Sequence, residues 1–155
     1  MKLLKNKTIV VTGGSRGIGK SIVLKLAEHG ANVVFTYVSS SEKANSVVKE
    51  AEKNGVSITA FKSDASKFED CELLINNVIK KFDQIDVLVN NAGITKDNLL
   101  LRMSEDDFDS VVSINLKSVF NMTKLVQKNM LKNKAGSIIN LSSIVGVKGN
   151  AGQSN

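Results

Sequence analysis

The chain has 155 residues, a formal net charge of +6 and 42% apolar residues. That length suits one domain of about 100–200 residues. The apolar fraction is too high for a disordered chain, and no uninterrupted apolar run reaches the roughly 20 residues of a membrane span. A single cysteine, Cys71, cannot form an internal disulfide, and no Cys/His cluster offers a structural zinc site, so no metal is expected. The charged start, Met1 to Thr8, lacks the apolar core of a secretory signal, and the expected location is the cytoplasm. Lysines are scattered, with one Tyr and no Trp to interleave with them, which argues against a nucleic-acid surface. The positive excess still favours an acidic or phosphorylated partner.

In chain order, five short apolar runs read as strands: Thr8–Thr12, Asn32–Tyr37, Ser57–Phe61, Asp86–Asn90 and Ser137–Ser142. Their β-branched and aliphatic content points to strands, several of them buried on both faces. A first helix is predicted from Gly17 to His29, with Ile18, Ile22, Val23 and Leu26 on one face and Gly30 as its stop. Two more open with the spacing of a capping box, Ser39 to Glu42 and Ser66 to Glu69. In the third helix Cys71, Leu74, Ile75, Val78, Ile79 and Phe82 form an apolar stripe. A fourth begins after Ser104, carries Glu105, Asp106 and Asp107 at its positive end, and runs to about Leu131.

Strands alternating with helices, joined by right-handed crossovers, give an α/β fold: a doubly wound, Rossmann-like parallel sheet in the order 3-2-1-4-5. Its ligand crevice lies at the carboxyl ends of the strands, where the order reverses. The first strand runs into Thr12-Gly13-Gly14-Ser15-Arg16-Gly17-Ile18-Gly19 and then a helix. In that context missing side chains let backbone N–H groups and the helix's positive end approach a pyrophosphate.

The same residues satisfy a second pattern. Gly14 to Ser21 matches the nucleoside-triphosphate loop literally, which would place Lys20 on phosphates and Ser21 on magnesium. Against it, Ile18 would sit in the phosphate cradle, and no apolar strand ends in the aspartate that completes such a metal site. A dinucleotide is favoured. No acid stands at the tip of the second strand, Thr36 to Ser39, to bind a ribose 2′-hydroxyl, whereas Arg16 supplies a cation for a 2′-phosphate. NADP(H) is therefore favoured over NAD(H).

The glycine turn, together with Asn90-Asn91-Ala92-Gly93, Asn115 and Ser142-Ser143, resembles the short-chain dehydrogenase/reductase family over the whole chain. Gly93 to Met103 and Gly146 to Asn155 most resemble its 3-oxoacyl-(acyl carrier protein) reductases of fatty acid synthesis. The resemblance implies that Gly13, Ser15, Arg16, Gly17, Ile18 and Gly19 bind pyrophosphate and 2′-phosphate. It places Asp64 and Ala65 by the adenine, and Asn91, Ala92 and Gly93 along the nicotinamide ribose. It assigns Asn115 to a helix distortion and a water-linked proton path. Asn115 also falls on or beside an apolar stripe of Phe108, Val111, Val112, Leu116 and Val119, where an unpaired amide costs about 1–3 kcal/mol, so it needs partners.

Ser143 is the substrate-orienting serine by resemblance. Adjacent strand residues face opposite ways, so one of Ser142 and Ser143 can meet the crevice, and Ser143 is preferred. Gln153 matches a residue near the substrate. Lys96 and Lys134 are candidates to dock an acidic carrier protein. The family's proton donor, a tyrosine with a lysine one helical turn later, falls at the position just after Asn155. The chain is therefore read as one NADP(H)-binding domain, the N-terminal part of a longer reductase lacking the C-terminal strands, inactive as these 155 residues and homotetrameric when whole. Another alcohol or sugar dehydrogenase, or a non-catalytic NADP(H)-binding module, are the alternatives.

Overall fold

A computed structural model describes residues 2–155; Met1, the first residue of the charged start, lies outside the described residues. Five strands, β1 (Thr8–Val11), β2 (Asn32–Tyr37), β3 (Ile58–Lys62), β4 (Val87–Asn90) and β5 (Ser137–Asn140), pair in parallel in the order β3-β2-β1-β4-β5. Val10 sits opposite Val34 on one side and Leu88 on the other, which fixes the register at the centre. The order reverses between β1 and β4, and this opens the crevice expected at their carboxyl ends.

The alternation of side chains along β1 builds two cores. Ile9 and Val11 join Val33, Phe35 and Val89 beneath α1 (Gly17–Glu28) and α2 (Ser41–Ala51). Val10 joins Val34 and Leu88 on the opposite face, covered by α3 (Phe68–Phe82) and α5 (Ser118–Asn133). On α3 the predicted stripe holds, with Cys71, Leu74, Ile75 and Val78 buried and Ile79 and Phe82 partly so. No helix among the described residues is long and apolar enough to cross a membrane.

Several local expectations fail for physical reasons. Ile18 is 68% exposed, because Gly19, Val23 and Ala27 make the inward face of α1. Neither the Ser39 nor the Ser66 capping box forms. The cap of α2 is Ser40, without a side-chain bond, and the cap of α3 is Lys67. Ser66 instead gives its N–H and hydroxyl to Asp64 Oδ1, a local turn that competes with the cap. The box that forms is at α4 (Glu105–Val112), where Ser104 Oγ accepts from Asp107 N–H.

Two further differences bear on the site. The fourth predicted helix is not continuous: α4 passes through a widened π-turn, Ser113–Lys117, into α5. And β5 is exposed along its whole length, unlike the buried strand expected. A four-residue helix, α6 (Val145–Lys148), follows it.

Candidate functional site

At the switch point the exits of β1 and β4 are stitched together. Thr12, 1% exposed, accepts from the N–H groups of both Asn91 and Ala92 through Oγ1, at 3.0 Å each. Asn91 Nδ2 donates in return to the carbonyls of Thr12 (2.9 Å) and Gly13 (3.0 Å). On the other side, Gly13 N–H donates to Thr36 Oγ1 and Gly14 N–H to the Thr36 carbonyl, fastening the turn to β2. Asn90 Nδ2 bonds Asn140 Oδ1 at 2.8 Å across the tips of β4 and β5.

This stitching explains the glycines. A Cβ at Gly19 would overlap the Gly13 carbonyl oxygen and lie 2.5 Å from Asn91 Nδ2, so the first turn of α1 sits directly on the loop. Gly17 differs: its φ of +53° favours glycine, and nothing lies within 4 Å of where its Cβ would be. The open side of the turn is therefore at Gly17. The first helical bond of α1 runs from Lys20 N–H to the Arg16 carbonyl, which leaves the amides of Gly17, Ile18 and Gly19 ahead of it without helical partners. Positive helix end, unpaired amides and an open face are together suited to an anion.

The triphosphate pattern is not realised in this geometry. Lys20 Nζ pairs with Glu50 at 2.9 Å, Ser21 Oγ donates to the Gly17 carbonyl, and Gly14 lies against Phe35 with no room for a Cβ. Arg16 makes no ion pair among the described residues, and it caps α1 from an exposed position beside half-buried Ser15. The tip of β2 continues through Val38, Ser39 and Ser40 with no carboxylate.

At the tip of β3, Asp64 commits Oδ1 to Ser66, while Oδ2 accepts no hydrogen bond among the described residues. Its own N–H is held by Asp70. Ala65 is buried just behind it, and its carbonyl accepts from the Cys71 thiol at 3.3 Å. Burial, reinforced by the charges of Asp70 and Asp64, pushes that thiol up to about 11, so Cys71 is an inert core residue.

The loop after β4 meets the π-turn. Asn115 Oδ1 accepts from Ile94 N–H (2.8 Å) and Nδ2 donates to the Ile94 carbonyl (2.9 Å), so both ends of the amide are used. The expectation that it sits in an apolar stripe is corrected, since Asn115 is exposed. In an unbroken helix, spacings of three and four would align it with Ser118 and Met122, both buried; the widened turn rotates it outward to Ile94. Gly93 keeps the approach close, with a Cβ there 3.3 Å from Asn115 Oδ1.

Ser143 leaves β5 beside this loop, for Leu141 N–H bonds the Asn90 carbonyl and carries the pairing past the strand ends. Ser142 and Ser143 lie beyond β5 and both are exposed, so strand alternation does not choose between them. Ser143 Oγ accepts from Val145 N–H at 3.2 Å, which leaves its hydroxyl proton available to a ligand. Gln153 does not stand free: Nε2 donates to Asp97 Oδ2 and Oε1 accepts from Asn150. With Asn98 N–H to the Gly152 carbonyl, it straps the chain's last residues to the loop after β4. Lys96 lies 3.5 Å from Asp107, and Lys134 is exposed at the end of α5.

Thr12 and Thr36, which tie the turn to β4 and β2, and Asn121, whose Nδ2 donates to the Ala65 and Ser66 carbonyls, were not predicted. The threonines read as β-branched strand formers. Asn121 carried a usable signal, a polar residue on the stripe of Ser118, Met122 and Val126.

Comparison with known proteins agrees with this geometry. The chain is 51% identical over 150 residues to a 3-oxoacyl-(acyl-carrier-protein) reductase of Staphylococcus epidermidis, covering 97% of this chain and 62% of that protein. It is 47% identical over 155 residues to one from Synechocystis, covering 100% and 63%. It is also 43% identical over 152 residues to one from Thermotoga maritima, covering 98% and 61%. The chain thus spans less than two thirds of the length of these relatives. A crystal structure of NAD+-bound xylitol dehydrogenase superposes with a TM-score of 0.94 at 28% identity, over 99% of this chain and 59% of that one. The sequence model of the short chain dehydrogenases matches residues 7–155, nearly the whole length, and the chain belongs to that family.

Proposed function

We propose that this chain is the cofactor-binding part of an NADPH-dependent oxidoreductase that reduces 3-oxoacyl-(acyl carrier protein) to the 3-hydroxyacyl thioester in fatty acid synthesis. The observation that carries the reading is the meeting, at one sheet edge, of an anion-ready glycine turn with Ser143 beyond the adjoining pair of strands. The substrate class is drawn from the relatives that bear that name.

The residues fit the cofactor. The open face at Gly17 and the leading amides of α1, with Gly13, Ser15, Ile18 and Gly19 shaping the turn, receive the pyrophosphate. Unpaired Arg16 and the carboxylate-free tip of β2 favour a 2′-phosphate; the NAD+-bound neighbour, at 28% identity, leaves that choice to these residues. Asp64 Oδ2 and Ala65 border the adenine, while Asn91, Ala92 and Gly93 line the distal ribose. When bound, the nicotinamide supplies the hydride.

Ser143 donates a hydrogen bond from its hydroxyl to the substrate ketone oxygen, keeping its proton, and so stabilises charge that develops there. Asn115 fixes the Ile94 loop and joins a water-linked proton path. Gln153 braces the substrate side through Asp97. Serine is too weak an acid to deliver the proton alone, and Tyr37 is separated from β5 by β1 and β4. These residues by themselves are therefore expected to bind the cofactor without turnover. Exposed Phe108, Leu116 and Phe120 along α4, the π-turn and α5 support assembly of the whole enzyme as a homotetramer, and the cytoplasm is its proposed location. Lys134 is the better of the two lysines for carrier docking, Lys96 being paired.

A chimera that continues residues 1–155 with the remaining segment of the Staphylococcus epidermidis relative tests the reading. NADPH oxidation with acetoacetyl-(acyl carrier protein) is expected from the chimera and not from the 155-residue chain. Activity of the short chain, or a chimera that turns over sugars or simple alcohols but no 3-oxoacyl thioester, would overturn it.

A further inference from the structure

Two buried asparagines of α5 act as clamps on backbone that is not their own. Asn121, 1% exposed, donates through Nδ2 to the carbonyls of Ala65 (3.1 Å) and Ser66 (3.2 Å). Asn129, 7% exposed, accepts from Ile85 N–H through Oδ1 (3.0 Å) and donates to the Asp83 carbonyl (2.9 Å). Both lie on the stripe of Met122, Val126 and Met130. They grip opposite ends of α3: Asn121 the loop that enters it, Asn129 the loop that leaves it. Only the entering loop stands at the cofactor edge, at the tip of β3.

The other side-chain bonds of the entering loop are local. Asp64 Oδ1 takes the Ser66 N–H and hydroxyl, Asp70 takes the Asp64 N–H, and the Cys71 thiol bonds the Ala65 carbonyl. Such bonds hold the loop's shape but not its place. Backbone pairing of Ser63 N–H with the Tyr37 carbonyl ties the start of the loop to β2, and among the described residues Asn121 makes the two side-chain hydrogen bonds that reach Ala65 and Ser66 from an element not adjoining the loop. Its buried amide has no water to fall back on, so the two carbonyls are held where Nδ2 can reach them.

We infer that Asn121 is a positioning residue for the adenosine end of the cofactor site: by holding Ala65 and Ser66 it sets where the free Oδ2 of Asp64 stands relative to the glycine turn. The inference rests on the cofactor reading above. It also gives the π-turn a geometric purpose. Asn121 near the start of α5 holds the adenosine loop and Asn115 in the adjoining π-turn holds the Ile94 loop, so these two neighbouring side chains fix the separation of the two loops.

The test titrates the 155-residue chain with NADPH and with adenosine 2′,5′-bisphosphate, in wild type, Asn121→Leu and Asn129→Leu. Leucine keeps the branched frame of asparagine, in a somewhat bulkier form, and removes its hydrogen bonds. Asn121→Leu is expected to weaken both ligands by about tenfold, a difference a titration resolves easily. Asn129→Leu, which breaks an equivalent clamp away from the site, is expected to lower thermal stability by a similar amount and to leave both affinities within about twofold. Equal losses in the two variants, or unchanged affinity in Asn121→Leu, would overturn the inference. So would failure of both Asn121→Leu and Asn121→Ala to fold, since the amide would then hold the domain rather than the site. If wild type binds neither ligand, the cofactor reading itself falls; if wild type and Asn121→Leu bind alike, the positioning role alone falls.

Discussion

β1 and β5 are both parallel strands of one sheet that deliver chain to the same edge, yet they are built differently. Ile9, Val10 and Val11 are at most 1% exposed between two helical layers, and the turn after them is tied to β2 and β4 by Thr36, Thr12 and Asn91. Ile138 and Ile139 of β5 are 36% and 51% exposed, and the strand is held chiefly by its ladder to β4 and by the Asn90–Asn140 pair. The cofactor half is thus stiffened by its own core, whereas the Ser143 half takes its position from backbone pairing. An anion held at the start of α1 needs fixed amides, and the buried β1 anchors the turn that presents them.

The sharpest way to break the contrast is Gly19→Ala. The added methyl would overlap the Gly13 carbonyl and crowd Asn91, both backed by a buried core, so the turn cannot yield. Loss of NADPH binding is expected, followed by fluorescence titration, with a large fall in melting temperature. Next, Leu88→Ala on β4, 0% exposed, is expected to cost about 2–5 kcal/mol in urea unfolding. Ile139→Ala on β5 should stay within about 0.5 kcal/mol; equal costs would erase the distinction between the halves.

The smallest effect is at α4. Hydrogen bonds from the side chain and then the backbone of Ser104, with Lys96 beside it, hold the Asp107 carboxyl below the usual aspartate range. A lowered folded value means that the box contributes above the ordinary aspartate pKa and is lost as pH falls through the folded one. Faster amide exchange at Asp107 in acid is expected, after correction for intrinsic rates, with exchange in β1 unaffected.

The sheet order and the place of each strand were legible because β-branched runs and glycine stops repeat with a regular period, but the end of β5 was not, for it stops at Asn140 and not at Ser142. The glycine turn was legible because it lies between a strand and a helix. What escaped reading depends on partners distant in sequence. Thr12 looks like any strand threonine until Asn91 arrives from another strand, and Ser66 looks like a cap until Asp64 takes its hydroxyl. Asn115 was found as an amide in need of partners, but the π-turn that redirects it to Ile94 leaves no mark in a pattern read at a single helical period. The same reasoning applied to Asn121 would have marked it as a buried amide in need of partners, though not that they lie in the β3 loop.

The proposed preference for a 2′-phosphorylated dinucleotide rests on the turn after β1, where Arg16 makes no ion pair among the described residues and the β2 tip carries no carboxylate. Parallel titrations of the 155-residue chain with NADPH and NADH test it most directly, in wild type and Arg16→Ala. Saturable binding that favours NADPH by about tenfold or more, with the preference collapsing in Arg16→Ala, is the predicted result. NADH binding as tightly as NADPH in wild type, or no saturable binding of either, would contradict it.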